Sequence, residues 1–95
     1  MDFEKFAKST QSSQPPAELN NYQLSLWWDA KGDWEQAHTI IQDIDDRQAA
    51  WIHAYLHRKE GDKSNAGYWY RRAAKEFPQV TLQQEWEIIV KSLLR

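Results

Sequence analysis

The chain has 95 residues, 41% hydrophobic and 27% charged, with a formal net charge of −2, which gives room for one globular domain and is too apolar for a disordered one. It has no Cys, and this excludes disulfide scaffolds, Cys-ligated metal modules and cysteine catalysis. A slightly acidic total also speaks against a nucleic-acid partner, which calls for a basic domain or stripe.

Three Gly and three Pro are too few to punctuate many short strands, and six Trp can build a core in a small chain. Helices are therefore expected throughout. The opening Met1-Asp2-Phe3-Glu4-Lys5-Phe6 has neither a basic start nor an apolar stretch, and no run approaches the roughly 18 apolar residues of a membrane span. The expectation is a cytoplasmic protein with no membrane contact.

Residues 1–16 read as an arm and linker: Phe3 and Phe6 lie on a short amphipathic segment, and Ser9 to Pro16 is polar and Pro-rich. Residues 17–95 then form a single domain. Leu19, Tyr22, Leu26 and Ala30 recur at helical spacing, with Pro16 suited to a first helical position, so a helix is predicted from about 17 to 31. Gly32 can end it, and Asp33 with Gln36 can cap the next, predicted from about 34 to 44 on Trp34, Ala37, Ile41 and Ile44. Asp45 and Asp46 suit the start of a third helix, about 47 to 60, which carries Trp51, Ile52, Tyr55 and Leu56 and ends at Gly61. A fourth follows on Ala66, Tyr70, Ala73 and Phe77, stopped by Pro78. The fifth opens on Thr81 and Gln84 and repeats Leu82, Trp86, Ile89 and Leu93.

Charge is uneven along this order. From Glu18 to Asp46 seven acids face a single Lys31, whereas between Arg58 and Glu76 six bases face three acids.

Gly32-Asp33-x-x-x-Ala37 matches Gly61-Asp62-x-x-x-Ala66 at an offset of 29 positions, which lies within the periods of helical repeats. Ala54, Gly61, Ala66, Tyr70, Ala73 and Pro78 stand at the spacing of a tetratricopeptide-type repeat, which this second unit resembles over about a third of the chain. More locally, Leu26-Trp27-Trp28-Asp29-Ala30-Lys31-Gly32-Asp33-Trp34, Trp51 to Asp62 and Tyr68-Trp69-Tyr70-Arg71-Arg72-Ala73 are similar to a group of short, uncharacterised bacterial proteins. That resemblance implies a cytoplasmic helical-repeat fold and no activity. The expected architecture is all-α: two stacked helical hairpins of tetratricopeptide-like type, a C-terminal capping helix and a short N-terminal helical arm.

The sequence contains no nucleophile elbow and no Gly-rich phosphate loop, so neither catalytic residues nor a cofactor are expected. His53 and His57 are four apart with Glu60 three further on, so all three can share one side of a helix and offer two imidazoles and a carboxylate to a small ligand or metal. Ala54 stands where a zinc protease needs its Glu, and the repeat assigns both His to packing positions, so no metal site is expected. His38 has no evident partner in the sequence. The function expected instead is protein or peptide interaction. Tyr22, Leu26, Trp51, Tyr55 and Arg58 would line a concave aromatic face, with the N-terminal arm docking there in its own chain or joining a homodimer.

Overall fold

Each helix starts on a side chain that holds its first turn. Asp2, Asn20, Asp33, Asp46, Asp62 and Thr81 all accept a hydrogen bond from the backbone N–H three residues on. Each bond satisfies one of the N–H groups that a helix start leaves without an intrahelical partner. In the computed structural model, which describes residues 1–94, the caps open α1 (Phe3–Ser9), α2 (Asn21–Ala30), α3 (Trp34–Ile41), α4 (Arg47–Glu60), α5 (Lys63–Arg72) and α6 (Leu82–Leu93). The fold is all-α among the described residues, and none of these helices is long and apolar enough to cross a membrane. Arg95, the last residue of the expected domain, lies outside the described residues.

Three of the helices also end alike. After α2, Gly32 has φ 85° and after α4, Gly61 has φ 94°. The N–H of the following residue reaches back to close the turn, Asp33 to Trp28 and Asp62 to His57, both at 3.0 Å. This paired closure satisfies the last carbonyls and requires a left-handed residue, which Gly adopts without a Cβ clash. α5 closes in the same way, with Lys75 N–H on Tyr70 O at 2.9 Å and Ala74 N–H on Arg71 O at 3.1 Å. There the left-handed residue is Ala74, at φ 59°.

That closure corrects one expected boundary. α5 stops at Arg72, well before Pro78, and Phe77 lies against the Tyr70 ring at 5.0 Å instead of extending the helix. Two other boundaries shift for equally local reasons. Asn20 and Gln23 form a full capping box, so α2 begins at Asn21 and not near Pro16. α3 ends at Ile41, short of Ile44, because the next segment is committed to the Asp46 cap of α4.

α2 packs chiefly on α3 and α4 on α5; α3 meets α4, and α6 lies against α2 and α4. The core gathers Leu26, Trp27, Ile41, Ile52, Leu56, Trp86 and Ile89 from these helices. Phe6 of α1 is fully buried in the same cluster, and the rings of Phe3 and Phe6 stand 5.9 and 5.8 Å from that of Trp86. The arm thus belongs to the core of its own chain.

Candidate metal centre

Where α3 meets α4, the packing brings three imidazoles together. His38 lies on α3 one turn after Trp34, and the two rings stack at 4.7 Å with an 11° tilt. Trp34 is pinned in turn, since its Nε1–H donates to the carbonyl oxygen of Leu56 at 2.7 Å. From α4, His53 and His57 project one turn apart with ring centroids 4.8 Å from each other. Trp69 of α5 closes the far side, stacked on His53 at 4.0 Å.

Ligating nitrogens of His38, His53 and His57 lie within 4.8 Å of one another. Nε2 of His38 and Nε2 of His53 are 3.0 Å apart. Two imidazoles on one tetrahedral ion, with bonds of about 2.0–2.1 Å, place their nitrogens about 3.3–3.4 Å apart, so this pair is near a chelating separation already.

The third ring is oriented from behind. Nδ1 of His57 is 2.6 Å from Oε2 of Glu60, and because a carboxylate only accepts, Nδ1 carries the proton. On the other side of the ring, Nδ2 of Asn65, which can only donate, lies 3.4 Å from Nε2 of His57, so in this contact Nε2 offers its lone pair. A carboxylate behind a histidine that presents its other nitrogen is the arrangement that orients metal-ligating imidazoles and raises their basicity. Glu60, expected beside His53 and His57 as a third donor, is thus engaged with the back of His57.

Charge state suits the same purpose. Burial, then the neighbouring His38 and His57, push His53 down to about 4. Burial and His57 also lower His38, against the opposing pull of Glu60 and Glu35. Neutral imidazole is the form that binds a metal, so at neutral pH no proton has to be driven from His53.

His57, Glu60 and Asp62 form a second close group of donor atoms. Both acids are exposed, and Asp62 is occupied as the cap of α5, so this group is the outer edge of the histidine cluster.

The stripe expected to line a concave face is engaged inside the chain. Leu26 is fully buried and Tyr55 nearly so. The Tyr55 hydroxyl donates to Asp29, whose other oxygen takes Lys59 Nζ at 2.9 Å. Trp51 Nε1–H and Arg58 Nη1 both donate to Glu85 of α6, and Arg58 Nη2 also donates to the Val80 carbonyl. The Tyr22 hydroxyl donates to Asp46 at the head of α4. The physical reason is α6: it lies on α2 and α4, where an open face would have been, and brings Glu85 and Trp86 with it.

His38 was the residue the sequence did not assign. Its one local signal is its place four after Trp34, on the side of α3 that includes Ile41. Comparison of the chain with family models, with curated proteins and with solved structures finds no match.

Proposed function

We propose that this protein binds a divalent transition-metal ion of the zinc(II) class through His38, His53 and His57, with Glu60 orienting His57. The observation that carries the reading is the convergence of three imidazoles from two different helices with a carboxylate behind one of them. Imidazole nitrogen suits zinc, nickel, copper and iron, whereas calcium and magnesium take oxygen sites. Packing alone would favour apolar rings at positions as buried as His53 and His57, since each buried ring nitrogen has to be given a partner.

The four central helices support a tetratricopeptide-like reading of the scaffold. The two Gly-Asp turns share one geometry, and each joins a pair of helices that pack on each other. On that reading His38 belongs to the first pair and His53 and His57 to the second, so the ion would bridge the repeat junction.

Zinc titration of the metal-stripped protein by calorimetry tests the proposal. The expected result is one ion per chain, with binding abolished in His53→Ala and strongly weakened in His38→Ala. Binding that survives both substitutions, or none in the unaltered chain, would refute it.

A further inference from the structure

A zinc-class ion in a closed site takes four ligands, and three imidazoles supply three. Asn65 is the neighbour placed to supply the fourth. Its Nδ2 lies 3.4 Å from Nε2 of His57, about the separation of roughly 3.3–3.4 Å between two ligand atoms on one tetrahedral ion. The other polar neighbours are committed: Glu60 to Nδ1 of His57, and Asp62 to the start of α5. The backbone N–H of Asn65 donates to that Asp62 cap at 3.1 Å, which fixes the residue in the first turn of α5 beside the histidines.

The hydrogen bond that Asn65 makes to His57 cannot survive metal binding, because it uses the lone pair the ion would take. Asn65 must then either swing away or turn its amide by half a rotation. The turn replaces Nδ2 by Oδ1, since the two atoms occupy equivalent places on the planar group and differ in being donor and acceptor. Resting on the metal-binding reading above, we infer that Asn65 is the fourth ligand, through Oδ1, so that the ion ties α5 to α3 and α4. Three imidazoles and a neutral carbonyl oxygen make a donor set for zinc(II), cobalt(II) or nickel(II). Copper(I), which favours thiolate and thioether sulfur, is disfavoured.

The two fates of Asn65 predict opposite signs, which zinc affinity by chelator competition and the visible absorption of bound cobalt(II) can read. If Asn65 ligates, Asn65→Ala weakens zinc binding about tenfold or more and dims the four-coordinate cobalt bands. Asn65→Asp, which puts a charged oxygen in the same place, keeps the bands and binds zinc more tightly than the unaltered chain. If Asn65 only swings away, Asn65→Ala removes a competing hydrogen bond and binding stays equal or tightens; that result overturns the inference and leaves the three-histidine site standing. Equal weakening by Asn65→Ala and Asn65→Asp overturns it as well. Zinc binding undiminished in His57→Ala would instead overturn the metal reading itself. Circular dichroism confirms that each variant folds, and Asn65→Asp carries the test should Asn65→Ala lose its helix.

Discussion

His38 and His53 stand Nε2 to Nε2 at 3.0 Å across the meeting of α3 and α4, so one ring nitrogen donates to the other and the accepting ring is neutral. The contact joins two helices through a pair of groups that a proton or a metal ion can claim. Each claimant has a measurable consequence.

For the proton, the consequence is a loss of stability on mild acidification of the metal-free protein. Burial first, then His38 and His57, hold His53 at about 4 against an ordinary value of 6.5, and His38 is lowered by the same leading cause. The unfolded chain therefore binds protons between about 6.5 and 4 that the folded chain refuses. Stability should be full above 6.5, fall as pH drops through that window and level off near 4, by an amount on the order of 2–3 kcal/mol for His53. Urea melts at pH 7, 6 and 5 measure the slope, and His53→Gln should flatten it. A slope unchanged in that variant would place its origin elsewhere.

For the metal, the consequence is linked stability. An ion that binds only the folded chain adds about 2.7 kcal/mol at a free concentration of one hundred times its dissociation constant. Zinc should therefore raise the melting temperature of the unaltered chain and raise that of His38→Ala and His57→Ala much less. Equal shifts in all three proteins would point to weak surface binding.

How much of this was legible depended on the distance over which each feature is decided. The caps at Asp33 and Thr81 and the turns at Gly32 and Gly61 are settled within a few residues, and the sequence shows them directly. The pairing of His38 with His53 spans 15 positions and two helices. Spacing within one helix reports only which residues share a face, and the angle at which α3 crosses α4 decides what that face meets. Glu60 was visible as a neighbour of His57, but not that it would hold the proton-bearing side of the ring. The end of α5 was hidden because Ala74 takes a backbone conformation that Ala rarely adopts.

That conformation makes a sharp prediction. Ala74 closes α5 at φ 59° where Gly32 and Gly61 close α2 and α4, and the left-handed region costs a residue with a Cβ roughly 1–2 kcal/mol. Ala74→Gly should stabilise the protein by about 0.5–1 kcal/mol once the greater freedom of Gly in the unfolded chain is counted. The reverse changes, Gly32→Ala and Gly61→Ala, should each destabilise it by about 1 kcal/mol. Beyond the adjoining residues no atom lies within 4 Å of the added Cβ at either Gly, so the cost there is backbone strain alone. Chemical melts of the three variants decide it, and a destabilising Ala74→Gly would mean that α5 ends by some other closure.

Glu85 is a deeply buried acid, with a side chain 3% exposed. Arg58 Nη1 donates to its Oε1 at 2.8 Å, and Tyr70 donates to both oxygens. Burial first, then the Glu85 carboxylate, hold the Tyr70 hydroxyl far above its usual value, against the opposing pull of Arg58. Glu85→Ala leaves the Arg58 charge without its partner, and breaking a buried pair in this way costs about 3–5 kcal/mol. Glu85→Gln retains the shape and two polar contacts and should cost less. Equal losses for Ala and Gln would show that charge is irrelevant at this position.

The N-terminal arm gives the last prediction. Phe6 is fully buried, its ring 5.8 Å from that of Trp86, and Trp86 also donates Nε1–H to the Leu26 carbonyl. α1 is anchored besides by its Ser9 hydroxyl, which accepts from Trp27 Nε1 at 3.2 Å. The arm is therefore part of the core, although only seven residues of it are helical. Phe6→Ala removes a ring from a packed interior and should cost about 3–5 kcal/mol, a large share of the roughly 5–15 kcal/mol that holds a small domain. Deleting residues 1–10 should cost at least as much and uncover Trp86 and Trp27, so binding of a hydrophobic dye rises and tryptophan emission shifts to the red. The histidine cluster has no contact with α1 among its stacking and hydrogen-bond partners. Zinc should then restore part of the lost stability to the deleted protein. Unchanged dye binding and emission after the deletion would show that the arm covers nothing in solution.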